Sequence, residues 1–191
     1  MAAELEQSLT RIIMDTPWFM RALCAVRSVA PPEACIGGGA IRNAVWDALL
    51  GHAEPSFLAD VDVAYFDPND LSEVTEKRFE SRLKALEPDL TWDVKNQAAV
   101  HLWFHNVFGH EVAPLRSMRD AVATWPETAL AVAVGLQADG TITIEAPLGL
   151  HDLFAMVVRR NPRRVSVETY EQRIVEKNYL DRWPRVRIVH E

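Results

Sequence analysis

Gly37-Gly38-Gly39-Ala40-Ile41-Arg42-Asn43, followed after a short connection by Asp60-Val61-Asp62-Val63, is the stretch whose reading decides the fold. It reads as a tight turn, a helix, then a strand with two carboxylates on one face. Glycines in such a turn let backbone N–H groups approach an anion, because no Cβ intervenes. The helix that follows adds its unpaired N-terminal donors and the positive end of its dipole. Alternate side chains of a strand share a face, so Asp60 and Asp62 point the same way. Two adjacent carboxylates repel unless a cation lies between them, and Mg²⁺ meets that need, with phosphate oxygens as further ligands. The turn and the carboxylates together therefore suit a nucleoside triphosphate and its metal. The glycines match neither the dinucleotide fingerprint nor the Walker loop, since no GK[ST] follows them. Arg42, about one helical turn into the helix, is placed to add a bidentate guanidinium near the phosphates.

Working outward, residues 3–14 read as a helix, and Thr16-Pro17 as the N-cap and first position of a second helix over 17–28. Pro31-Pro32 closes that pair, and residues 33–36 form a short strand into the glycine turn. Residues 40–50 are helical, with Ile41, Val45, Leu49 and Trp46 inward and Gly51 as the stop. The carboxylate strand covers 60–66. Asp67-Pro68-Asn69-Asp70 turns and caps an amphipathic helix over 71–86, and 91–95 is another strand. Residues 97–106 are helical, and Ser117 with Asp120 resembles a capping box for a helix ending before Trp125-Pro126. Residues 129–137 and 141–145 pair as a hairpin through Ala138-Asp139-Gly140. A short helix over 150–156, a last helix over 167–182 and an edge strand at 186–189 complete the chain. The interleaved elements predict an α+β domain with a mixed sheet, since the hairpin forbids a purely parallel one.

Two-metal phosphoryl transfer often needs a third carboxylate. Asp93 is the leading candidate, with Lys95 on the same strand face, placed either to contact a triphosphate or to form an ion pair with Asp93. Glu111, Glu127 and Glu145 are weaker choices for the third acid. Asn96 and Gln97 have two readings, as hydrogen-bonding partners of a sugar or base and as caps of the next helix. His101, His105 and His110 offer a zinc alternative through their i, i+4 spacing, but no His-Glu-x-x-His or nearby cysteine pair supports it.

With 191 residues, 49% apolar and 25% charged, the chain has the balance of a globular domain able to bury a sizeable core. No apolar run is long enough to span a bilayer, the acidic N-terminus lacks the features of a signal peptide, and only Cys24 and Cys35 carry thiols. These features predict a cytoplasmic protein with reduced cysteines. The net charge of −7 argues against coating nucleic acid through the whole surface. Residues 159–187 nevertheless hold nine of the 20 Lys and Arg against four acids, a local balance of +5. That segment is read either as a solvated surface or as a contact for RNA, phosphate or an acidic partner.

The glycine and Asp-Val-Asp-Val motifs resemble the core of DNA polymerase β-like nucleotidyltransferases, in the form found in CCA-adding and poly(A)-adding enzymes. A bacterial nucleotidyltransferase-like family without established substrates is more similar still. The resemblance there also covers Trp92-Asp93-Val94-Lys95-Asn96-Gln97, Trp125-Pro126-Glu127-Thr128 and the stretch from Ala146 to Phe154. It implies a mixed, mainly antiparallel sheet flanked by helices. Asp60, Asp62 and Asp93 are then catalytic metal carboxylates for Mg²⁺, with Mn²⁺ as an alternative ion. Gly38, Gly39 and Arg42 then sit at the triphosphate. Lys95, Asn96 and Gln97 join the expected nucleotide-binding set from their own positions and not from the resemblance, with capping still the other reading of Asn96 and Gln97. The implied activity is transfer of a nucleoside monophosphate from an NTP donor to an unidentified hydroxyl acceptor. A non-catalytic nucleotide-binding or protein-interaction module on the same fold is the alternative. The chain lacks the helical tRNA-binding domains of the larger enzymes, which predicts against a CCA-adding role. One domain is expected over 1–191, with a helical pair to residue 30, a core over 31–160, and a C-terminal helix and tail over 161–191.

Overall fold

The computed structural model describes residues 2–29, 31 and 33–190. The chain opens with α1 (Ala2–Met14) and α2 (Pro17–Val29). Pro17 occupies the first helical position, where its missing N–H costs nothing. Thr16 does not cap with its hydroxyl as expected; Oγ1 donates to the Ile12 carbonyl (2.7 Å) and closes the end of α1 instead. Pro32 of the expected break lies outside the described residues.

Next come β1 (Cys35–Gly37), α3 (Gly39–Leu50) and β2 (Val61–Tyr65). Gly51, in the left-handed region (φ 69°), stops α3 by donating to the carbonyls of Ala48 and Asp47. Leu49, expected inward, is 36% exposed in that last turn. The following helix, α4 (Glu73–Leu86), begins two residues later than expected, because Ser72 is its cap. Asp70 instead braces the turn, accepting from the Ser72 N–H (3.0 Å) and the Thr75 hydroxyl (2.7 Å). β3 (Trp92–Asn96) is followed by one 3₁₀ turn (Gln97–Ala99) and α5 (Val100–Phe108). α6 (Met118–Val122) starts at Ser117, whose Oγ accepts from Asp120 N–H (3.1 Å), as the capping pattern predicted.

The hairpin is β4 (Ala133–Leu136) and β5 (Ile142–Glu145), with residues 129–130 in a preceding turn and 131–132 in irregular backbone rather than in the strand. α7 (His151–Phe154) and a two-residue strand, β6 (Val157–Val158), come next. The expected last helix is divided into α8 (Val167–Lys177) and α9 (Tyr179–Arg182) by Asn178, which takes a left-handed conformation (φ 44°). β7 (Arg187–Ile188) does not join the main sheet; it pairs in parallel with β6.

The main sheet runs β3-β2-β1-β4-β5. Only β2 and β3 pair in parallel, and α4 is the crossover that parallel neighbours require. The other three pairings are antiparallel, so the sheet is mixed and mainly antiparallel, as expected. Alternation divides the side chains of β2 and β3 cleanly. Val61, Val63, Tyr65, Trp92 and Val94 enter the larger apolar core, which also gathers residues from α1, α2, α3 and α8. The opposite face carries Asp62 and Ala64 on β2, with Asp93 and Lys95 beside them in register. Farther along that face Ala64 packs with α5 and α6 in a second, smaller apolar cluster. No helix among the described residues is long and apolar enough to cross a membrane.

Candidate functional site

β1 runs into the glycine turn and α3 runs out of it. Gly38 has φ 60° and ψ −123°, a conformation closed to ordinary side chains. A Cβ there would stand only 3.2 Å from Asp62 Oδ2, so the turn and the carboxylate lie against each other. At Gly37 a Cβ would collide with the indole of Trp125. Gly38 is thus required by its backbone and by close approach, Gly37 by packing alone.

Asp62 and Asp93 are register partners on adjacent parallel strands. Asp60 lies one residue before β2, not within it. Burial first, then the charges of Asp60 and Asp93, push the Asp62 carboxyl up to about 6, while Lys177 and Arg173 partly offset them. Neither Asp60 nor Asp62 has a hydrogen bond or ion pair among the described residues. Hard oxygen donors, unpartnered and with converging negative charge, fit a divalent cation such as Mg²⁺. Among the described residues no three His, Cys, Asp or Glu side chains stand close enough to hold an ion alone. An ion held here would complete its coordination with water or with oxygens of a bound molecule. His101, His105 and His110 form no such group, and His105 and His110 are exposed.

These carboxylates line a cavity of about 450 Å³. Gly38, Gly39 and Arg42 line it too, together with Lys95 and Gln97. Facing them, the C-terminal helices contribute Arg173, Glu176, Lys177 and Arg182. These C-terminal residues were not singled out in the sequence, although the basic surplus of residues 159–187 was their signal.

Several expected roles change. Arg42, expected as a bidentate guanidinium near the phosphates, lines the cavity with part of its fork already engaged. It is buried, donates to its neighbour Asn43 Oδ1 (2.7 and 3.2 Å), and its guanidinium carbon lies 5.2 Å from the ring centres of both Tyr179 and Trp183. It is a fixed cation in an aromatic cage at the cavity wall. Lys95 Nζ bonds Asp93 Oδ1 at 3.0 Å, the ion-pair alternative, while still lining the cavity. Asn96 is fully engaged elsewhere: Nδ2 donates to the Asp67 and Asp70 carbonyls, and Oδ1 accepts from the Asp67 and Ala98 N–H groups. It fastens the 67–70 turn and caps the 3₁₀ turn, away from the cavity lining. Gln97 Oε1 accepts from Trp125 Nε1 (3.3 Å).

Of the weaker third acids, Glu127 is fully buried, where it accepts from Tyr179 Oη (3.0 and 2.9 Å) and from Arg173 (3.3 Å). It holds Arg173, a residue of the cavity wall, in place. Glu145 pairs with Arg119 on β5, and Glu111 sits on an exposed loop. None of the three lines the cavity. Asp152 ties two loops together by accepting from Thr128 Oγ1 (2.6 Å) and Arg159 Nε (2.9 Å).

A glycine turn, two unpartnered carboxylates and a facing cationic wall define a site of the nucleotide-handling class. The chain belongs to a nucleotidyltransferase family, whose profile matches residues 24–188. It is similar to an NMR structure that reveals a CCA-adding enzyme head domain, with 26% identity over 97% of this chain and 96% of that one and a TM-score of 0.81. The fold is shared with a CCA-adding enzyme solved in complex with CTP (14% identity, 99% of this chain, TM-score 0.55), of which the alignment covers 43%. No curated protein matches the chain.

Proposed function

We propose that this cavity binds a nucleoside triphosphate with a divalent cation, Mg²⁺ or Mn²⁺, and transfers the nucleoside monophosphate to a hydroxyl acceptor. The observation that carries this is the half-buried, unpartnered Asp62 carboxylate lying against the Gly38 turn and facing Arg173 and Lys177. Membership of the nucleotidyltransferase family supports the donor, as does the shared fold of an enzyme solved with CTP. Asp60 and Asp62, with Asp93 beside them, would hold the cation, which when bound neutralises charge on the phosphate oxygens.

The protein's own groups account for the rest. The turn offers the Gly39 N–H and the start of α3 to the phosphates, while the Gly38 N–H is spent on the Val132 carbonyl (3.3 Å) and Gly38 shapes the turn. Arg42 and Arg173 supply positive charge at anchored positions, so little reorganisation accompanies transfer, and the exposed Lys177 adds a further cation. Asp93, held at one oxygen by Lys95, takes the proton as the acceptor oxygen bonds to the α-phosphorus. The α–β anhydride bond breaks, and pyrophosphate leaves with its electron pair.

Mixing the protein with Mg²⁺ or Mn²⁺, labelled NTPs and a broad acceptor panel tests the proposal. Pyrophosphate release that Asp62→Asn abolishes is the expected result. Release that survives Asp62→Asn rejects the role of Asp62. The Asp93–Lys95 ion pair favours a second reading, in which the fold binds nucleotide without transferring it. NTP binding that persists without divalent cation, and no release with it, would select that reading.

A further inference from the structure

The loop between α3 and β2 is pinned at two successive residues. Ser56 donates its N–H and its hydroxyl to Asp47 (2.7 and 2.6 Å), which is itself fixed by Trp183 Nε1 (2.8 Å). The Phe57 carbonyl then accepts from Asn43 Nδ2 (3.2 Å) and Arg182 Nη1 (3.1 Å). On this fixed backbone the Phe57 side chain is 70% exposed at the cavity wall. The Arg182 guanidinium carbon lies 5.7 Å from its ring centre.

Phe57 and Trp125 supply the cavity's aromatic surface, but their rings differ in availability. The Trp125 ring packs over Gly37, and its N–H is spent on Gln97. Phe57 has an open face. An exposed phenyl on an anchored loop, beside a guanidinium and on the wall of a charged cavity, matches a flat, polar-edged aromatic ligand.

We propose that Phe57, with the Arg182 guanidinium over one face of its ring, is the stacking platform on its other face for the nucleobase of the donor nucleotide. This rests on the cavity being a nucleotide site. The phosphates lie toward Gly38 and Asp62, and the base lies over the ring on the flank of α3. Every base has a π face, so the platform sets affinity and not base choice.

Calorimetric titration in Mg²⁺ with ATP, CTP and inorganic tripolyphosphate tests this. Phe57→Ala is expected to weaken both nucleotides by about 5- to 100-fold and leave tripolyphosphate unchanged. Phe57→Trp is expected to restore binding, with tryptophan emission quenched on adding nucleotide more than in the wild type. Nucleotide binding unchanged in Phe57→Ala, or fully restored by Phe57→Leu, overturns the platform while leaving the nucleotide site standing. If the wild type binds neither nucleotide nor tripolyphosphate, the nucleotide site fails and the platform with it.

Discussion

Replacing Asp62 with asparagine is expected to stabilise the protein in the absence of nucleotide and divalent cation, although it removes a proposed catalytic group. Burial and the neighbouring carboxylates raise Asp62 from 3.8 to about 6. Its folded-state value thus lies above its unfolded value, so the folded state holds the proton more tightly. Below about pH 3.8 the carboxyl is protonated in both states and costs nothing. As pH rises toward 6 the unfolded chain ionises freely while the folded one resists, and stability falls. Above that window the deficit is complete. A shift of about two units at 1.36 kcal/mol each sets it at about 3 kcal/mol, as an upper estimate. In a chain of this size that corresponds to roughly 5–10 °C in melting temperature. Urea unfolding of wild type and Asp62→Asn from pH 3.5 to 8 measures the gap directly. It is expected to be near zero at the acidic end and to open between about pH 4 and 6. Saturating Mg²⁺ is expected to narrow it by stabilising the wild type preferentially. A gap that is flat with pH, or in which the variant is less stable at pH 7.5, refutes the electrostatic account. The result would be a case of site function held at the expense of stability.

Three further outcomes follow from the same structure. Gly38→Ala is expected to cost about 1–3 kcal/mol in denaturant unfolding from backbone strain and to weaken Mg²⁺-dependent nucleotide binding, because the new methyl faces Asp62. Glu127→Ala leaves Arg173 and the Tyr179 hydroxyl without their buried partner, and a loss of about 3 kcal/mol is expected in the same measurement. Asn96→Ala removes four hydrogen bonds and is expected to lower stability by about 2–4 kcal/mol while leaving nucleotide affinity of the folded protein unchanged, read by calorimetry.

The parts of the site that were legible in the sequence are those fixed locally. Period-two alternation placed Asp62 and Asp93 on one sheet face, and the parallel register then set them side by side. Glycine at position 38 announced a backbone that other residues avoid. What stayed hidden depends on contacts far apart in sequence. Arg42 read as a bidentate guanidinium for phosphates, and nothing local reveals that Tyr179 and Trp183 close around it. Arg173 and Lys177 read only as part of a basic segment, since nothing local reveals which wall α8 forms. Asn96 looked equally suited to a ligand or to a cap, and the fold of the 67–70 turn decided for the cap. β6, the partner of the expected strand at 186–189, escaped because two residues carry no periodicity.

Calorimetric titration of the wild type and Asp62→Asn with an NTP, with and without Mg²⁺, bears most directly on the central claim that this cavity holds a nucleotide through a carboxylate-bound cation. The account predicts saturable binding that strengthens with Mg²⁺ in the wild type and loses that dependence in Asp62→Asn. Absence of binding, or binding indifferent to both the ion and the substitution, would contradict it.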